Sequence, residues 1–472
     1  MEALLVNGLR LGMIIRLTTV LGTFGILPGI ANVVPSSVWS GYVVEGPTSS
    51  VTAITGSWRI PTVTCNGSEP TSVIAWVGMD GLSNTSVEQI GTGTICTSNG
   101  PEYYAWFEFF PNEQSQKQIP ACTPAQVSQC LTLHPEDIVS AAVSYTAGTG
   151  FTVVMKDTTT GQSFARIEAD SSAERASAEW IVERPQSSSV RLANFATLTF
   201  KGCYATVSGK TSPIGSYATT KVIMTSPTFG VEALPLGLVP AGAGTAFPVL
   251  FIDPYAGAVL ADHPIAYYRL GDRPTATIAT DFSGNGHSGT YENGALLGVP
   301  GLISDTSDTA VNFSTGDVAI PDSSTMDFVN SAFSIEAWFN ANGTLAGSNL
   351  RIFDKALAGS GIGYGLDLST VDQRLIGCPS FDPHVTISNN STYHIVMSTD
   401  GAGTASYYLN GQFQGSGPYG SCPAFTQAAH IAVANDGSAH FTGTIDEVAI
   451  YNYELAPERI SAHYSLGTAA EP

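Results

Sequence analysis

The sequence predicts an all-β protein built from two β-sandwich domains. Short runs in which apolar and polar residues alternate, such as residues 72–77, 103–110 and 139–145, recur along the chain and are separated by turn residues. Over the first half no long segment shows the 3.6-residue period of a helix. The chain has 472 residues, which is enough for two domains that each bury a core.

The division of the chain is predicted from a change in composition. Strand-like runs fill residues 36–226, and a second series fills residues 255–466. Between them, residues 227–254 are rich in alanine, glycine, proline and leucine and carry few charges. We therefore expect residues 227–254 to form a linker.

Residues 1–31 have the pattern of a signal peptide. Arg10 and Arg16 precede an apolar run that ends in Gly29-Ile30-Ala31. A membrane anchor is the alternative, but the run is shorter than the ~20 residues that a spanning helix needs. We expect a secreted, soluble product without stable membrane insertion, and the net charge of −21 argues against nucleic acid as a partner.

The seven cysteines fit an oxidising compartment, but an odd number cannot all pair. Sequence does not fix connectivity, so the pairing is a prediction from position along the chain. We expect Cys65 to pair with Cys96 and Cys122 with Cys130, while Cys378 and Cys422 are the cysteines of the second half and Cys203 is the odd thiol.

Histidine chemistry is excluded from the first half, which contains a single histidine, His134. A zinc hydrolase needs two or three histidine ligands, and a serine or cysteine triad needs a histidine beside its nucleophile. The other seven histidines lie in the second half without His-x-x-x-His spacing. A Ser-Lys dyad stays open, although no motif supports it. Carboxylate and amide chemistry is what remains.

A first candidate carboxylate lies in the apolar segment AEWIVE, residues 178–183. Strand alternation places Glu179, Ile181 and Glu183 on one face. Burial would raise the pKa of Glu179 and make it a candidate acid/base group in a mildly acidic medium. The alternative is a glutamate on a solvent-exposed strand surface.

Two further segments carry polar groups among strand formers. Residues 103–111, YYAWFEFFP, place Trp106 and Glu108 on one face of an aromatic strand. If this face only packed in the core, burying the Glu108 carboxylate would cost free energy without any return in function. Upstream, one strand ends at Asp80 and the next begins just before Gln89.

The segments WVGMDG, EQIG, AWFEFFP and AEWIVE, in this order after WSGY and IPTV, resemble the glutamic peptidases, the eqolisin family of acid-acting endopeptidases. The resemblance covers residues 39–224 and implies a β-sandwich whose curved sheet holds the substrate. It implies that Glu179 and Gln89 are the catalytic pair. The residues expected to line or support the substrate cleft are Trp76, Asp80, Trp106 and Glu108.

The chemistry of this pair predicts a mechanism that needs no cofactor. An ionised Glu179 takes a proton from a bound water as the water attacks the scissile carbonyl, and passes it to the departing amine. The Gln89 amide donates to the developing oxyanion, and its carbonyl helps to orient the water. Because the amide does not titrate, the arrangement suits an acid enzyme.

Residues 255–466 resemble the laminin-G-like, concanavalin A-like domains. The resemblance rests on AVLADHPIAYYRLGD, DFSGNGHSGTY, FSIEAWF, SYYLNGQ and GTIDEVAIYNYELAPERISAHY. It implies a jelly-roll sandwich that binds a glycan or a ligand of the cell surface or matrix. Some members bind calcium, which makes Asp281 and Asp446 candidate ligands. The alternative for both, a turn-forming aspartate at a strand end, is favoured.

Glu336, within FSIEAWF, is expected to be structural. A glycosidase requires two carboxylates about 5 to 10 Å apart, and no Glu-x-Asp-x-Glu strand occurs in the sequence.

The function predicted from the sequence is a secreted, metal-independent acid endopeptidase that cleaves polypeptides and carries a C-terminal binding or targeting domain. The alternatives are a non-catalytic extracellular binding protein made of two β-sandwiches, and a protein whose function is dominated by glycan binding.

Overall fold

A computed structural model of the chain describes residues 32–65, 70–112, 116–169, 172–185, 190–239, 244–304, 308–342, 349–357, 362–369, 385, 387–418 and 426–469. The predicted signal peptide, residues 1–31, lies outside the described residues, as do Cys378 and Cys422.

The chain divides into two compact units, Met1–Asp253 and Pro254–Glu471. Strands dominate both of them, which confirms the all-β prediction. The strands of the first unit are β1 (Asn32–Ser36), β2 (Trp39–Glu45), β3 (Val51–Arg59), β4 (Thr71–Met79), β5 (Val87–Thr97), β6 (Gly100–Phe110), β7 (Lys117–Gln118), β8 (Ile138–Thr146), β9 (Gly150–Asp157), β10 (Ser163–Glu168), β11 (Ser177–Glu183), β12 (Arg191–Leu192), β13 (Thr197–Val207), β14 (Lys210–Pro213), β15 (Thr219–Ser226), β16 (Gly230–Pro235) and β17 (Phe247–Phe251), with a 3₁₀ turn at Ile214–Ser216.

The first unit is a sandwich of two sheets. One sheet has the order β1-β15-β2-β11-β4-β5-β6-β7, antiparallel except at β1–β15. The other has the antiparallel order β14-β13-β3-β8-β9-β10. Apolar side chains of both sheets, including Val77 and Trp180 from one and Trp58 and Val139 from the other, form the core between them. The Trp180 indole N–H donates to Thr55 O at 2.8 Å, which ties the two sheets together.

The linker prediction for residues 227–254 is wrong. This segment contains β16 and β17, which pair with each other, and β16 also pairs with β15 while β17 pairs with β13. The apolar residues Ala233, Phe247 and Val249 are buried in the core of the first unit. The composition resembled that of a linker because these strands carry few charges: Glu232 is the single charged residue within β16 and β17.

The second unit is also a sandwich. Its strands are β18 (Ala266–Tyr268), β19 (Ile278–Ala279), β20 (Gly289–Glu292), β21 (Leu296–Pro300), β22 (Thr309–Phe313), β23 (Asp317–Ile320), β24 (Phe333–Ala341), β25 (Asn349–Leu357), β26 (Ile362–Ser369), β27 (Thr392–Thr399), β28 (Thr404–Leu409), β29 (Gln412–Pro418), β30 (Ala429–Ile431) and β31 (Gly443–Tyr451), with a 3₁₀ turn at Ser324–Met326. One sheet has the order β21-β22-β31-β24-β27-β28-β29 with β18 paired to β31, and the other β19-β20-β23-β30-β25-β26.

Two helices, α1 (Pro254–Ala261) and α2 (Pro457–Thr468), belong to the second unit and were not predicted from the sequence. Pro457 lies at the start of α2, where proline favours helix initiation. This signal was overlooked because the surrounding sequence was interpreted as strands and turns. No helix in the described part of the chain is long and apolar enough to cross a membrane.

The buried carboxyl of Glu336 joins both helices to β24. Its oxygens accept hydrogen bonds from the Tyr255 hydroxyl of α1 at 3.0 Å and the Tyr451 hydroxyl at 2.9 Å. His394 and His463 also contact it, at 2.7 and 3.1 Å. Burial acts to raise the pKa of Glu336, but the two histidines hold it well below its ordinary value. The expectation that Glu336 is structural agrees with these contacts.

Two of the predicted cysteine pairs are confirmed as disulfides, Cys65–Cys96 and Cys122–Cys130. Cys203 is buried and unpaired among the described cysteines.

Removing the charge of Glu336 should destabilise the second unit. We expect Glu336→Gln to lower the free energy of unfolding by about 3–5 kcal/mol, the loss typical when one partner of a buried ion pair is removed. His463 would keep Asp262 as its remaining carboxylate partner, at 3.0 Å. The pKa of Glu336 is lowered from 4.5, so its contribution is present above that pH and lost as the pH falls. The pKa of His463 is raised from 6.5 to about 9, so its contribution is complete below 6.5 and lost as the pH rises through 9.

The difference between wild type and variant should therefore be largest between pH 4.5 and 6.5. Urea unfolding of the full chain across this range measures it. The exposed Glu454 provides the control, since Glu454→Gln should leave the transition unchanged. A Glu336→Gln transition equal to that of wild type would contradict the assignment.

Candidate functional site

The strand register of the first sheet brings Glu179, Gln89 and Glu108 into one row. Glu179 on β11 is paired with Gly78 on β4, Gly78 with Gln89 on β5, and Gln89 with Glu108 on β6. Side chains in one such row project from the same face of the sheet. The Cα atoms of Glu179 and Gln89 are thus separated by two strand spacings, or about 9.5 Å.

Gly78 lies between these two side chains in the row, and the space above it is closely packed. A methyl group at this position would lie 2.9 Å from Gln89 Cβ and 2.9 Å from Trp76 Cζ3. The row lies on the sheet face opposite the sandwich core, since Ala178 and Trp180 point into the core while Ile181 packs in a separate cluster on the outer face. Gly78 therefore lets the Trp76 ring and Gln89 pack closely against the backbone of β4 in the row.

Glu179 is completely buried beneath the loop that follows β4. Its Oε1 accepts hydrogen bonds from Leu82 N at 3.0 Å and Ser177 Oγ at 2.8 Å. Its Oε2 has no partner among the described residues and lies 3.4 Å from where a Cβ on Gly81 would be. One oxygen of Glu179 is held in place, and the other lies close to Gly81 in the loop after β4.

Burial raises the pKa of Glu179 well above its ordinary value. The hydrogen bonds from Ser177 and Leu82 lower it only in part, and the neighbouring carboxyls of Asp80 and Glu45 raise it further. Glu179 therefore holds its proton at acid pH. The expected raised pKa agrees with this burial, and the ionisation state of Glu179 during catalysis stays a prediction.

Gln89 is oriented by Glu108. Its Nε2 donates to Glu108 Oε2 at 2.9 Å, while its buried Oε1 has no partner among the described residues. A carboxylate oxygen accepts hydrogen bonds, so it selects the NH₂ end of the amide and fixes which way the side chain faces. One N–H of Gln89 remains available for a ligand in the row.

Asp80 supports the site and does not line it. Its carboxylate accepts hydrogen bonds from Arg175 N at 2.6 Å, Ala176 N at 2.7 Å and Asn84 Nδ2 at 2.9 Å. Asp80 is fully buried and joins the end of β4 to the segment that leads into β11. Its position keeps Glu179 in register with Gly78.

Aromatic rings lie over glycines next to the row. A Cβ on Gly91 would lie 2.9 Å from Trp106 Cζ2, and one on Gly93 would lie 2.2 Å from Tyr104 Cζ. Trp76 and Trp106 are fully buried in the cluster on this outer face. Sequence reasoning included Trp76 and Trp106, but missed the glycines that make room for the rings. The spacing Gly91-x-Gly93 in a strand was the available signal.

Glu183 is a further carboxyl on the same face that sequence reasoning left without a role. It is buried, and its Oε2 accepts a hydrogen bond from Trp76 Nε1 at 2.7 Å. Burial raises the pKa of Glu183 to about 8, and the charge of Glu108 contributes to the increase. Glu183 is therefore neutral at acid pH.

The two predicted calcium ligands lie in different surroundings. Asp281 accepts hydrogen bonds from the backbone of Tyr267 and His287, as a turn-forming aspartate does. Asp446, by contrast, lies within 4.8 Å of carboxylate oxygens of Asp308 and Glu447. These three residues are the one cluster of potential metal ligands found in the described part of the chain.

Comparison with known proteins agrees with both resemblances. Residues 37–230 match the model of the Peptidase A4 family, and residues 312–461 match that of the concanavalin A-like lectin/glucanases superfamily. The predicted recognition is confirmed for both halves. The chain thus contains one segment that matches a peptidase family and a later segment that matches a concanavalin A-like superfamily. No curated protein matches it.

Solved structures are similar to parts of the chain. Scytalido-glutamic peptidase with a peptide-based transition-state analogue is 20% identical, covers 46% of this chain and 98% of its own, and has a TM-score of 0.37. Aspergilloglutamic peptidase from Aspergillus niger is 24% identical, covers 39% and 99%, and has a TM-score of 0.32. Domain 4 of an extracellular arabinanase from Geobacillus stearothermophilus is 19% identical, covers 43% and 98%, and has a TM-score of 0.33.

Adding a methyl group at Gly91 should destabilise the first unit. A Cβ there would lie 2.5 Å from Ala75 O, a backbone atom that cannot move without disturbing β4. We expect Gly91→Ala to lower the free energy of unfolding by roughly 1–3 kcal/mol. Urea unfolding followed by tryptophan fluorescence tests this, since five of the six tryptophans lie in the first unit.

Gly237→Ala is the matched control, because its Cβ would meet no atom within 4 Å. Equal unfolding midpoints for the two variants would contradict the crowding inferred at Gly91.

Proposed function

We propose that the protein is a secreted endopeptidase that cleaves polypeptides at acid pH, with Glu179 and Gln89 as its catalytic pair. The observation that carries the proposal is the row Glu179–Gly78–Gln89, in which two chemically complementary side chains flank a glycine on one sheet face. The match of residues 37–230 to a peptidase family supports the reaction class. The two disulfides support an oxidising destination such as the cell exterior.

The raised pKa of Glu179 favours a protonated carboxyl as the starting state. Glu179 donates its proton from Oε2 to the oxygen of the scissile carbonyl, and the carboxylate that this leaves takes a proton from the attacking water at the same oxygen. The product of this step is a neutral gem-diol, and Glu179 is again protonated. Transfer of its proton to the amide nitrogen, with return of a proton from one diol hydroxyl, breaks the C–N bond and releases a carboxylic acid and an amine.

Gln89 supplies hydrogen bonds that do not depend on pH. Its free N–H stabilises the oxygen of the scissile carbonyl, and its Oε1 accepts from the attacking water. Glu108 holds the amide in the orientation that this requires. Metal ions take no part in the proposed steps, because the acid, the base and the hydrogen-bond donor are all side chains of this chain.

Replacing either catalytic residue should abolish most of the activity. We expect Gln89→Ala to lower kcat by about 10²–10³, the loss typical of one oxyanion donor. Glu179→Gln should lower kcat by at least about 10², because an amide cannot transfer protons. Hydrolysis of an acid-denatured protein between pH 3 and 5 provides the measurement, and a chelator should have no effect.

The exposed Gln126 and Glu174 serve as matched controls, since Gln126→Ala and Glu174→Gln should keep wild-type activity. Circular dichroism at the assay pH checks that each variant is folded. Peptide cleavage by Glu179→Gln near the wild-type rate would remove the proposal. A folded wild-type chain that cleaves no peptide would instead be better described as a non-catalytic binding protein made of two sandwiches.

We further propose that the second unit is a binding or targeting module that takes up calcium at Asp308, Asp446 and Glu447. Three carboxylates meet there, and Arg269 is the cation seen beside them, at 3.2 Å from Asp308 and 3.1 Å from Glu447. Buried Oδ1 of Asp446 has no partner among the described residues. Carboxylate oxygens are the ligands that calcium prefers. Asp281 is not part of this proposal, since backbone N–H groups occupy its oxygens.

Calcium should stabilise the full chain through Asp446. At a free concentration of 100 times its dissociation constant, the gain should be about 2.7 kcal/mol. Asp446→Asn should abolish the effect, while Asp281→Asn should lower stability but keep the calcium-dependent gain. Thermal unfolding with and without calcium, together with titration calorimetry, distinguishes these outcomes. A calcium effect that survives Asp446→Asn would contradict the site.

The ligand of this module is proposed to be a glycan or a protein of the cell surface or matrix. The match of residues 312–461 to a superfamily of lectins and glucanases supports a carbohydrate. A glycan array probed with the full-length Glu179→Gln variant tests this without proteolysis of the array.

A further inference from the structure

We propose that Glu183 is a positioning residue of the peptidase site, whose carboxyl holds the indoles of Trp39 and Trp76 against the glycines that flank Glu179. The proposal rests on the proposed function of the Glu179–Gln89 row. Glu183 is four residues from Glu179 along β11, or about 14 Å between Cα atoms, so it does not touch the reacting atoms.

Glu183 contacts both tryptophans from neighbouring strands. Trp39 is paired with it on β2, and Ile74 is paired with it on β4. Its Oε2 accepts a hydrogen bond from Trp76 Nε1 at 2.7 Å, and the indole of Trp39 is a second hydrogen-bond partner. The two rings meet edge to face, with centroids 5.3 Å apart. A single carboxyl thus fixes the N–H ends of two packed rings.

The opposite ends of the same rings reach the catalytic row. Trp76 Cζ3 lies 2.9 Å from the point where a Cβ on Gly78 would be, between Glu179 and Gln89. Trp39 Cη2 lies 2.8 Å from the corresponding point at Gly81, and Glu179 Oε2 lies 3.4 Å from that point. The rings therefore form the boundary beside the uncommitted oxygen of Glu179. A rotation of either indole would change the space in which the substrate carbonyl must fit.

The ionisation of Glu183 can be followed by tryptophan fluorescence, a measurement that does not depend on peptidase activity. The titratable groups that face it are Glu108 and Tyr104, both on β6. With its pKa raised to about 8, Glu183 is neutral in acid, and an amide reproduces its size and its hydrogen-bond acceptor. Leucine keeps the size but leaves two indole N–H groups without an acceptor.

The experiment compares Glu183→Gln, Glu183→Leu and the control Glu232→Gln in the full chain. Glu232 is a buried glutamate of the first unit that pairs with Arg184 and contacts neither indole. At pH 4 we expect Glu183→Gln to stay within about threefold of wild-type kcat/KM and Glu183→Leu to lose about tenfold or more, the effect of an unmade buried hydrogen bond. Loss of activity in Glu183→Gln equal to that in Glu183→Leu would overturn the proposal.

Tryptophan fluorescence gives the second measurement. Wild type should show a transition near pH 8 that is absent in Glu183→Gln and in Glu183→Leu and present in Glu232→Gln. A transition retained in Glu183→Gln would overturn the proposal even if the enzyme is active. The two proposals can fail separately. If the transition is absent in both Glu183 variants but the wild-type chain cleaves no peptide, Glu183 still holds the two indoles, and it is the proposed peptidase function that is contradicted.

Discussion

The register between β11, β4, β5 and β6 is the constraint on which the first unit depends. Pairing of Glu179 with Gly78 and of Gly78 with Gln89 places the two side chains on one face at a fixed spacing. A slip of one residue in either pairing would turn one of them into the apolar core. Asp80 secures this register at the end of β4 by accepting hydrogen bonds from the segment that leads into β11.

The same register explains why glycines alternate with aromatic residues on this face. Rings from β4 and β6 need more width than one strand spacing provides, and Gly78, Gly91 and Gly93 supply it. The rings in turn exclude water from Glu179. Burial of the carboxyl and its raised pKa are therefore consequences of the packing, and the proposed chemistry uses a proton that the fold itself retains.

Glu179 and Glu336 show how partners decide the state of a buried carboxyl. Both are fully buried in the middle of a strand. Glu336 has two histidines and two tyrosine hydroxyls around it, and its pKa falls well below the ordinary value. Glu179 has one hydroxyl and one backbone N–H, and its pKa rises. Ionised, Glu336 secures two helices, whereas a protonated Glu179 can exchange protons with a substrate.

The sequence by itself determined the all-β class and the order of the peptidase-like motifs, because alternation and motif order are local properties. It also predicted the two disulfides and pointed to Glu179 and Gln89 as candidates, but it did not fix either of them. Only the tertiary structure decided that residues 227–254 add strands to the first unit, that burial raises the pKa of Glu179, and that Glu183 is buried against Trp76. These depend on which strands are neighbours and on how much water reaches a side chain. Both are fixed by contacts between residues far apart in the chain.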